Sequence, residues 1–552
     1  MTSPPDYFDL TERPWITATP LGEQSTLDPQ PVLVSLRDVF AQAHALSALT
    51  GDVPTQAFAI LRLLLAILRR SLADRPGTAA QTWEELWRAE QMPMEQIGGY
   101  LTKYRARFRL FDAQAPFFQV AGLRSATGAV SGLDRLIADV PNGEKYFTTR
   151  AGAGVEKIDY AEAARWLVHA HAFDPSGIKT GALGDDRVKN NKGYPIGVAW
   201  TGNLGGVFVE GATLRETLLL NLVLLDTNSA RYSRDDKPVW ERDDPDTAAE
   251  RGDTRPSGPA DLCTWQSRRI RLVHNGSRVT GVVLCNGDAL EPFNKQLIEP
   301  MTGWRYSETQ SKKAGGQPRH YPMLHDPAKA LWRGFAALLG EVANPSSTTG
   351  RAIAPGVMEW TRYLMDQDVL EPTHPVRLHA TGMQYINNQS VIGDLFDDTI
   401  GFRAGLLSDP VLRTCAVNAV KVGEDCVHAL TGLAGNLAAA AGGDTDGARA
   451  RARENGYFAL NSPYRRWLAA LTPGGGRPVI EYDRVWQRTV RAVIEPLGEN
   501  LVAQAGIPAW VGREVGGRYL DASVARKWFH ERLHELVPAA YPRPDSEGAS
   551  AA

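Results

Sequence analysis

The part of the chain after residue 400 carries apolar side chains at intervals of three and four residues, which places them on one face of an α-helix. The longest series consists of Leu412, Cys415, Ala419, Val422, Cys426, Leu430, Leu433 and Leu437. Because a helix with one apolar face must bury that face against other elements, this spacing predicts a bundle of about four helices.

The length of the chain requires more than one domain. A single hydrophobic core usually stops growing near ~250–300 residues, and this chain has 552. We predict an α+β fold. A mixed, irregular domain of short strands and helices spans 1–400, a four-helix bundle spans 401–540, and the small, polar residues 541–552 form a disordered tail.

Capping and turn residues mark the elements of the first domain. Helices are expected at 35–50 with Ser35 as N-cap, from Pro54 onward, at 83–110 and at 159–171. The alternation of apolar residues across 262–287 predicts two strands, and the pair Asn275-Gly276 between them is typical of a tight hairpin turn.

The charge balance is unlike that of a free-standing DNA-binding protein. Sixty basic residues face 63 acidic ones, a net charge of −3, whereas DNA-binding domains usually carry a basic surplus. Contacts with nucleic acid must therefore come from local patches or be shared with partner subunits.

We predict a cytoplasmic protein with no membrane partner. The four cysteines are scattered, which fits a reducing compartment, and the N-terminus does not resemble a signal peptide. The sequence also lacks the run of ~18 apolar residues that a membrane-spanning helix needs.

One motif raises the alternative of a zinc-dependent hydrolase. His530, Glu531 and His534 form H-E-x-x-H, which on a helix places two imidazoles on one face beside a potential general base. A third ligand is expected on a later element, yet only the tail follows. The sequence lacks a P-loop and a G-x-S-x-G nucleophile elbow. We therefore favour a binding protein that has neither catalytic residues nor a cofactor or metal.

Three loops have the chemistry for contact with DNA. The loop at 142–154 combines Phe147 with basic residues between glycines, and such loops can stack on bases and contact phosphates. The loop at 176–181 contains Gly177, Lys179 and Gly181, and is followed by Arg187, Lys189 and Lys192. The third loop carries the amides of Asn387, Asn388 and Gln389, followed by Ser390. Composition alone favours an ordinary surface loop or hairpin turn for each of these segments.

The chain resembles a known family over nearly its whole length. The segment from Phe8 to Ile16, with Pro14-Trp15-Ile16, is similar to the F-N-L-L-x-x-P-W-I opening of the CasA family, the large subunit of the type I-E CRISPR complex Cascade. Further matches follow in order: Phe108-Arg109-Leu110-Phe111 with Pro116-Phe117, the Leu219 to Val223 segment, Thr264-Trp265 with Arg268-Arg269, and Asn387-Asn388-Gln389.

This resemblance implies a non-catalytic subunit that lies beside the 5′ end of the crRNA and contacts other Cascade subunits. It implies recognition of the protospacer-adjacent motif (PAM) in double-stranded DNA, opening of the duplex to form an R-loop, and recruitment of a helicase-nuclease for antiviral defence. Phe147 falls at or next to an aromatic of the PAM-side loop. The loop at 176–181, which contains Gly177, Lys179 and Gly181, resembles a glycine loop that faces the minor groove.

The same resemblance assigns Asn388, Gln389 and Ser390 to a hairpin whose glutamine acts as a wedge below the PAM. It assigns Lys295 to a lysine that reaches the minor groove. The loop at 176–181 departs from the family pattern, since it has fewer glycines and contains Lys179. A purely structural assembly subunit, docked through its helical bundle, remains a further alternative.

Overall fold

A computed structural model describes residues 7–22, 30–140, 150, 153–226, 228–252, 255–340, 352–475 and 477–541. The polypeptide divides into two compact units. The first contains residues 1–329, 346–369 and 376–399, and the second contains 330–345, 370–375 and 400–552. Of the predicted tail at 541–552, only Tyr541 lies within the described residues.

The first half of unit 1 alternates short strands and helices. Its elements are β1 (Ile16–Pro20), β2 (Val32–Val34), α1 (Leu36–Ala41), β3 (Leu46–Leu49), α2 (Pro54–Ser71), α3 (Ala79–Arg88), α4 (Met94–Lys103), α5 (Ala153–Glu156), α6 (Tyr160–Phe173), β4 (Lys179–Thr180), β5 (Lys192–Gly193), β6 (Gly206–Glu210) and α7 (Leu214–Leu220).

The remaining elements complete both units. They are α8 (Pro259–Cys263), β7 (Arg268–His274), β8 (Val279–Asn286), β9 (Trp304–Tyr306), α9 (Glu308–Lys313), β10 (His320–Pro322), α10 (Phe335–Leu338), α11 (Gly356–Asp366), β11 (Pro375–Ile386), β12 (Val391–Arg403), α12 (Pro410–Ala441), α13 (Thr445–Ala469), α14 (Val479–Ala503), α15 (Ile507–Val511), β13 (Arg513–Val515), β14 (Arg518–Leu520) and α16 (Ala522–Leu536).

Helix α2 forms the centre of the core in unit 1. Its residues from Phe58 to Leu68 are buried, and the helix packs against α4, α6 and α8. Pro54 is its first residue, as predicted, because the missing N–H of proline costs little in the first turn. Helix α6 confirms the helix expected at 159–171, and Asp159 caps it by accepting a hydrogen bond from the Glu162 amide at 2.8 Å.

The helix predicted at 35–50 is too long. Ser35 caps α1 as expected, since its hydroxyl accepts a hydrogen bond from the Asp38 amide at 3.1 Å, but α1 ends at Ala41. Residues 46–49 instead form β3, which pairs antiparallel with β1. The backbone groups of β1 accept this strand as a partner, so tertiary pairing overrides the helical propensity of the local sequence.

The sheets of unit 1 are small and antiparallel. One three-stranded sheet has the strand order β2-β1-β3, and a second has the order β12-β11-β6. Strands β7 and β8 form a separate hairpin. The predicted turn at Asn275-Gly276 is confirmed. The Asn275 amide bonds to the Arg278 carbonyl at 3.0 Å, and Gly276 has the left-handed φ of 98° that favours glycine.

Unit 2 is built around α12, which is 32 residues long and packs against α13, α14 and α16. Asp409 caps its first turn, and Gly442 ends it with a φ of 75°. Two aromatic residues join the helices by donating hydrogen bonds to carbonyls of α12: Trp486 Nε1 to Ala419 at 2.8 Å and Tyr464 Oη to Ala416 at 3.1 Å. The predicted helical C-terminal part and the α+β class are confirmed.

The last helix buries only part of its aromatic surface. In α16, Phe529 and Leu533 are buried, but 41% of Trp528 is exposed. No helix among the described residues is long and apolar enough to cross a membrane.

Candidate nucleic-acid interface

Two of the three predicted loops border one cleft in unit 1. The cleft has a volume of about 410 Å³. Its walls come from residues between 131 and 140, from the end of α6 and the loop that follows it, and from the start of β12. Gly177, Lys179 and Ser390, which lie far apart in the sequence, all line it.

The turn between β11 and β12, which we call the hairpin tip (residues 387–390), has an uncommon backbone. Asn387, Asn388 and Gln389 have φ values of 51°, 57° and 65°. Three consecutive non-glycine residues in the left-handed region are unusual, and asparagine tolerates that region better than most residues. All three side chains are exposed, so the turn presents a row of amide groups to solvent.

Neighbouring segments hold the hairpin tip in place. The Ser176 amide donates a hydrogen bond to the Gln389 carbonyl at 2.8 Å, and Ser390 Oγ donates to the Asn387 carbonyl at 2.6 Å. Tyr385, at the base of the tip, donates from its hydroxyl to the Phe173 carbonyl at 2.7 Å. These bonds couple the tip to the end of α6.

Gly177 allows the loop and the hairpin tip to approach closely. Its φ is 115°, and a Cβ at this position would lie 3.4 Å from Ser390 Cβ. Gly181 has a different role, since a Cβ there would lie 2.5 Å from Val188 Cγ1. Gly181 is buried. Glycine is therefore required at position 181 by internal packing, and at position 177 by the backbone conformation beside the cleft.

Lys179 lies in the cleft, but its charge is already paired. Its Nζ is 2.6 Å from Asp174 Oδ2, and Arg268 Nε lies 2.5 Å from the same oxygen. Burial lowers the pKa of Lys179, and the Asp174 carboxylate offsets only part of that effect. Burial by itself would raise the pKa of Asp174, but the Lys179 and Arg268 charges bring it below its ordinary value.

Arg268 also fixes the backbone that leads to the cleft. Its Nη2 donates to the carbonyls of Asp174, Pro175 and Gly197 at 3.1, 3.0 and 2.9 Å. Only 1% of the arginine is exposed. This role could not be predicted from the sequence, because Arg268 and Asp174 are 94 positions apart and no local pattern links them.

Lys295, another predicted site residue, lies away from the cleft. Lys295 is half-buried, its Nζ lies 3.4 Å from the Phe293 carbonyl, and burial lowers its pKa. It is not among the residues that line the cleft. Phe147 lies outside the described residues. Of the residues that flank its loop, Val140 lines the cleft, and Arg150 binds both oxygens of Asp139 at 2.8 Å.

The histidines of the H-E-x-x-H motif have different partners. His530 Nε2 lies 2.6 Å from Glu499 Oε1, whereas the ring of His534 packs 4.5 Å from the Tyr541 ring. Glu531 is exposed and lies 3.8 Å from Lys527. Within the described part of the chain, no group of three or more His, Cys, Asp or Glu residues has a geometry that could hold a metal ion.

Two solved structures share the fold over almost their whole length. Cse1 from Thermobifida fusca is 44% identical to this chain with a TM-score of 0.89, and the match covers 97% of this chain and 99% of that one. Cse1 from Acidimicrobium ferrooxidans is 29% identical with a TM-score of 0.78, and covers 97% and 98%.

The profile of the family described as CRISPR-associated protein Cse1 matches residues 9–496. The chain belongs to the Cse1 family. A curated relative, CRISPR-associated protein CasA/Cse1 of Thermus thermophilus, is 26% identical over 534 residues, which are 94% of this chain and 95% of the relative.

The family resemblance seen from Phe8 onward is thereby confirmed, since CasA and Cse1 name the same family. Cse1 proteins are the large subunit of the CRISPR complex Cascade and serve as a structural subunit of it. Neither this assignment nor the separate partners of His530 and His534 supports the zinc-hydrolase alternative.

Proposed function

We propose that this chain recognises the PAM in double-stranded DNA, starts the opening of the duplex into an R-loop, and recruits the helicase-nuclease that degrades the target. It acts within a crRNA-guided complex, next to the 5′ end of the crRNA and to other Cascade subunits. The observation that carries the proposal is the hairpin tip, where Asn388 and Gln389 are exposed and held in a left-handed backbone at the edge of the cleft.

The geometry of the hairpin tip suits insertion between strands. A side chain that opens a duplex must resist displacement, and the tip is supported by the Ser176 amide and by the buried Tyr385 hydroxyl. Carboxamides can replace hydrogen bonds of the base edges that they separate. In the minor groove, A·T and T·A pairs present the same acceptors, so we expect tolerance among several PAM sequences.

The experiment compares crRNA-loaded complexes assembled with and without this chain. Binding is measured to duplex targets with a correct or a scrambled PAM, and opening is followed by a fluorescent base next to the PAM. We expect PAM-dependent binding only when the chain is present. Equal discrimination without the chain would contradict PAM recognition and leave the structural role.

Two substitutions of Gln389 distinguish the effect of losing its side-chain amide from the effect of backbone strain. Gln389→Ala removes the amide in a conformation that strains alanine, whereas Gln389→Gly removes the same amide where a φ of 65° costs glycine nothing. If the amide acts as a wedge, both variants open the target poorly and both keep the thermal midpoint within a few degrees. Normal opening by Gln389→Gly would refute the wedge role.

A further inference from the structure

Two lysines beside the cleft lie on one tight turn. Lys189 and Lys192 close a two-residue hairpin, which we call the lysine turn (residues 189–192). The Lys189 amide bonds to the Lys192 carbonyl at 3.1 Å, and the Lys192 amide bonds to the Lys189 carbonyl at 3.0 Å. Asn190 and Asn191 occupy its centre with φ values of 51° and 63°.

The geometry of this turn places two like charges on the same face. Residues that exchange both backbone hydrogen bonds lie directly opposite each other, and their side chains project to one side of the hairpin. Like charges in that arrangement are destabilising. Both lysines are exposed, and among the described residues neither forms a salt bridge. This arrangement disfavours folding slightly, but it provides a compact site for an anion.

The lysine turn is rigidly joined to the wall of the cleft. Lys192 pairs with Thr180, a cleft residue, and the Gly181 amide donates to the Asn191 carbonyl at 3.0 Å. On the other side, Asn286 Nδ2 donates to the Tyr194 carbonyl at 2.6 Å. Two-residue turns with both central residues left-handed are among the best defined hairpin connections. The side chains of Lys189 and Lys192 therefore extend from a well-defined backbone.

Lys179 cannot supply a free charge in this arrangement, because Asp174 is 2.6 Å from its Nζ. We infer that Lys189 and Lys192 of the lysine turn bind the phosphate backbone of duplex DNA that lies across the mouth of the neighbouring cleft. This inference rests on the proposed function for the identity of the duplex. Its chemistry is separate from PAM reading, since contacts to phosphates position a duplex and carry no sequence information.

The test is the salt dependence of binding. Each phosphate contact releases about 0.9 of a counterion from B-DNA, so Lys189→Ala/Lys192→Ala should reduce the slope of log K against log salt by about 1.8. The affinity ratio of wild-type to variant complex then shrinks about 12-fold between ~50 and ~200 mM salt. The variant should lose the same factor of affinity for targets with a correct and with a scrambled PAM. The ratio of these two affinities therefore stays unchanged.

Two further variants serve as controls. Lys312→Ala/Lys313→Ala removes the same charge from the exposed helix α9 of the same unit, where Lys312 is 2.7 Å from Glu308. We expect it to leave the slope unchanged. Lys189→Arg/Lys192→Arg keeps the charge and should restore the wild-type slope. Thermal unfolding of each variant checks that the fold is retained.

The outcomes distinguish this inference from the proposed function. A slope for Lys189→Ala/Lys192→Ala equal to that of the α9 control overturns the phosphate contact, even if PAM discrimination is normal. A variant complex that fails to load crRNA also overturns it, since the lysines would then contact RNA. If wild-type complex shows no PAM discrimination, the proposed function fails, and the slope on any duplex still decides the role of the lysine turn.

Discussion

Replacing His379 by glutamine tests how the sheet that ends in the hairpin tip is held together. His379 lies on the central strand β11 between two carboxylates: its Nδ1 is 2.6 Å from Glu210 Oε1 on β6, and its Nε2 is 2.6 Å from Asp397 Oδ1 on β12. Arg377 Nε lies 2.9 Å from Glu210 Oε2, and the imidazole stacks on Phe208. The imidazolium therefore bridges all three strands.

The magnitude follows from the pKa of the imidazole. Burial opposes its protonation, but the two carboxylates raise the pKa of His379 to about 9. A folded-state pKa above the ordinary 6.5 contributes stability that is complete below about pH 6.5 and is lost as the pH rises through 9. The contribution is about 2–3 kcal/mol near pH 7 and falls to about 0.2 kcal/mol near pH 9.5. Since Asp397 is partly exposed, we expect about 1–3 kcal/mol near pH 7.

The assay is hydrogen exchange of the β6 and β11 amides, compared between wild type and His379→Gln at the same pH. Near pH 7 we expect exchange about 5- to 150-fold faster in the variant, which corresponds to about 1–3 kcal/mol. Near pH 9.5 the two proteins should differ by less than about twofold. His44→Gln, an exposed histidine of the same unit, is the control. A difference that persists unchanged at the higher pH would refute the ionic bridge.

Three further substitutions test packing, a buried ion pair and the zinc alternative. Gly498→Ala should destabilise unit 2 by about 1–3 kcal/mol in urea unfolding, because the new Cβ would lie 2.3 Å from the Phe529 ring. A smaller residue at position 529 should restore part of the lost stability. Arg62→Met should cost about 3–5 kcal/mol, because the buried Glu299 carboxylate loses its cation and keeps only hydrogen bonds from Trp200 Nε1 and the Met301 amide. The double change to apolar residues should cost less. Glu531→Ala should change unfolding by less than about 0.5 kcal/mol, and the wild-type protein should contain no stoichiometric zinc by mass spectrometry.

Local patterns in the sequence were sufficient for many elements. The recurrence of apolar residues every three or four positions after residue 400 located helices of unit 2, and the Ser35 cap located the start of α1. The hairpin turns at Asn275-Gly276 and after Tyr385 were also predictable. Each of these signals depends on residues within about four positions of one another, where backbone geometry alone determines the outcome.

The candidate interface depended on contacts between distant residues. The resemblance to the family singled out Gln389 and Lys179, but it could not show that the lysine is paired with Asp174 or that Gly181 is packed against Val188. It also could not show that Lys189 and Lys192 sit together on one face of a turn beside the cleft.

The sequence by itself determined many of the elements, the α+β class and the family. The tertiary structure decided which charges remain available and what supports the hairpin tip. Tyr385 and Phe173 are 212 positions apart, and Arg268 and Asp174 are 94 apart. Whether such groups meet depends on how whole elements pack. Because burial and pairing set the charge state and freedom of a side chain, its function depends on neighbours that its local sequence does not specify.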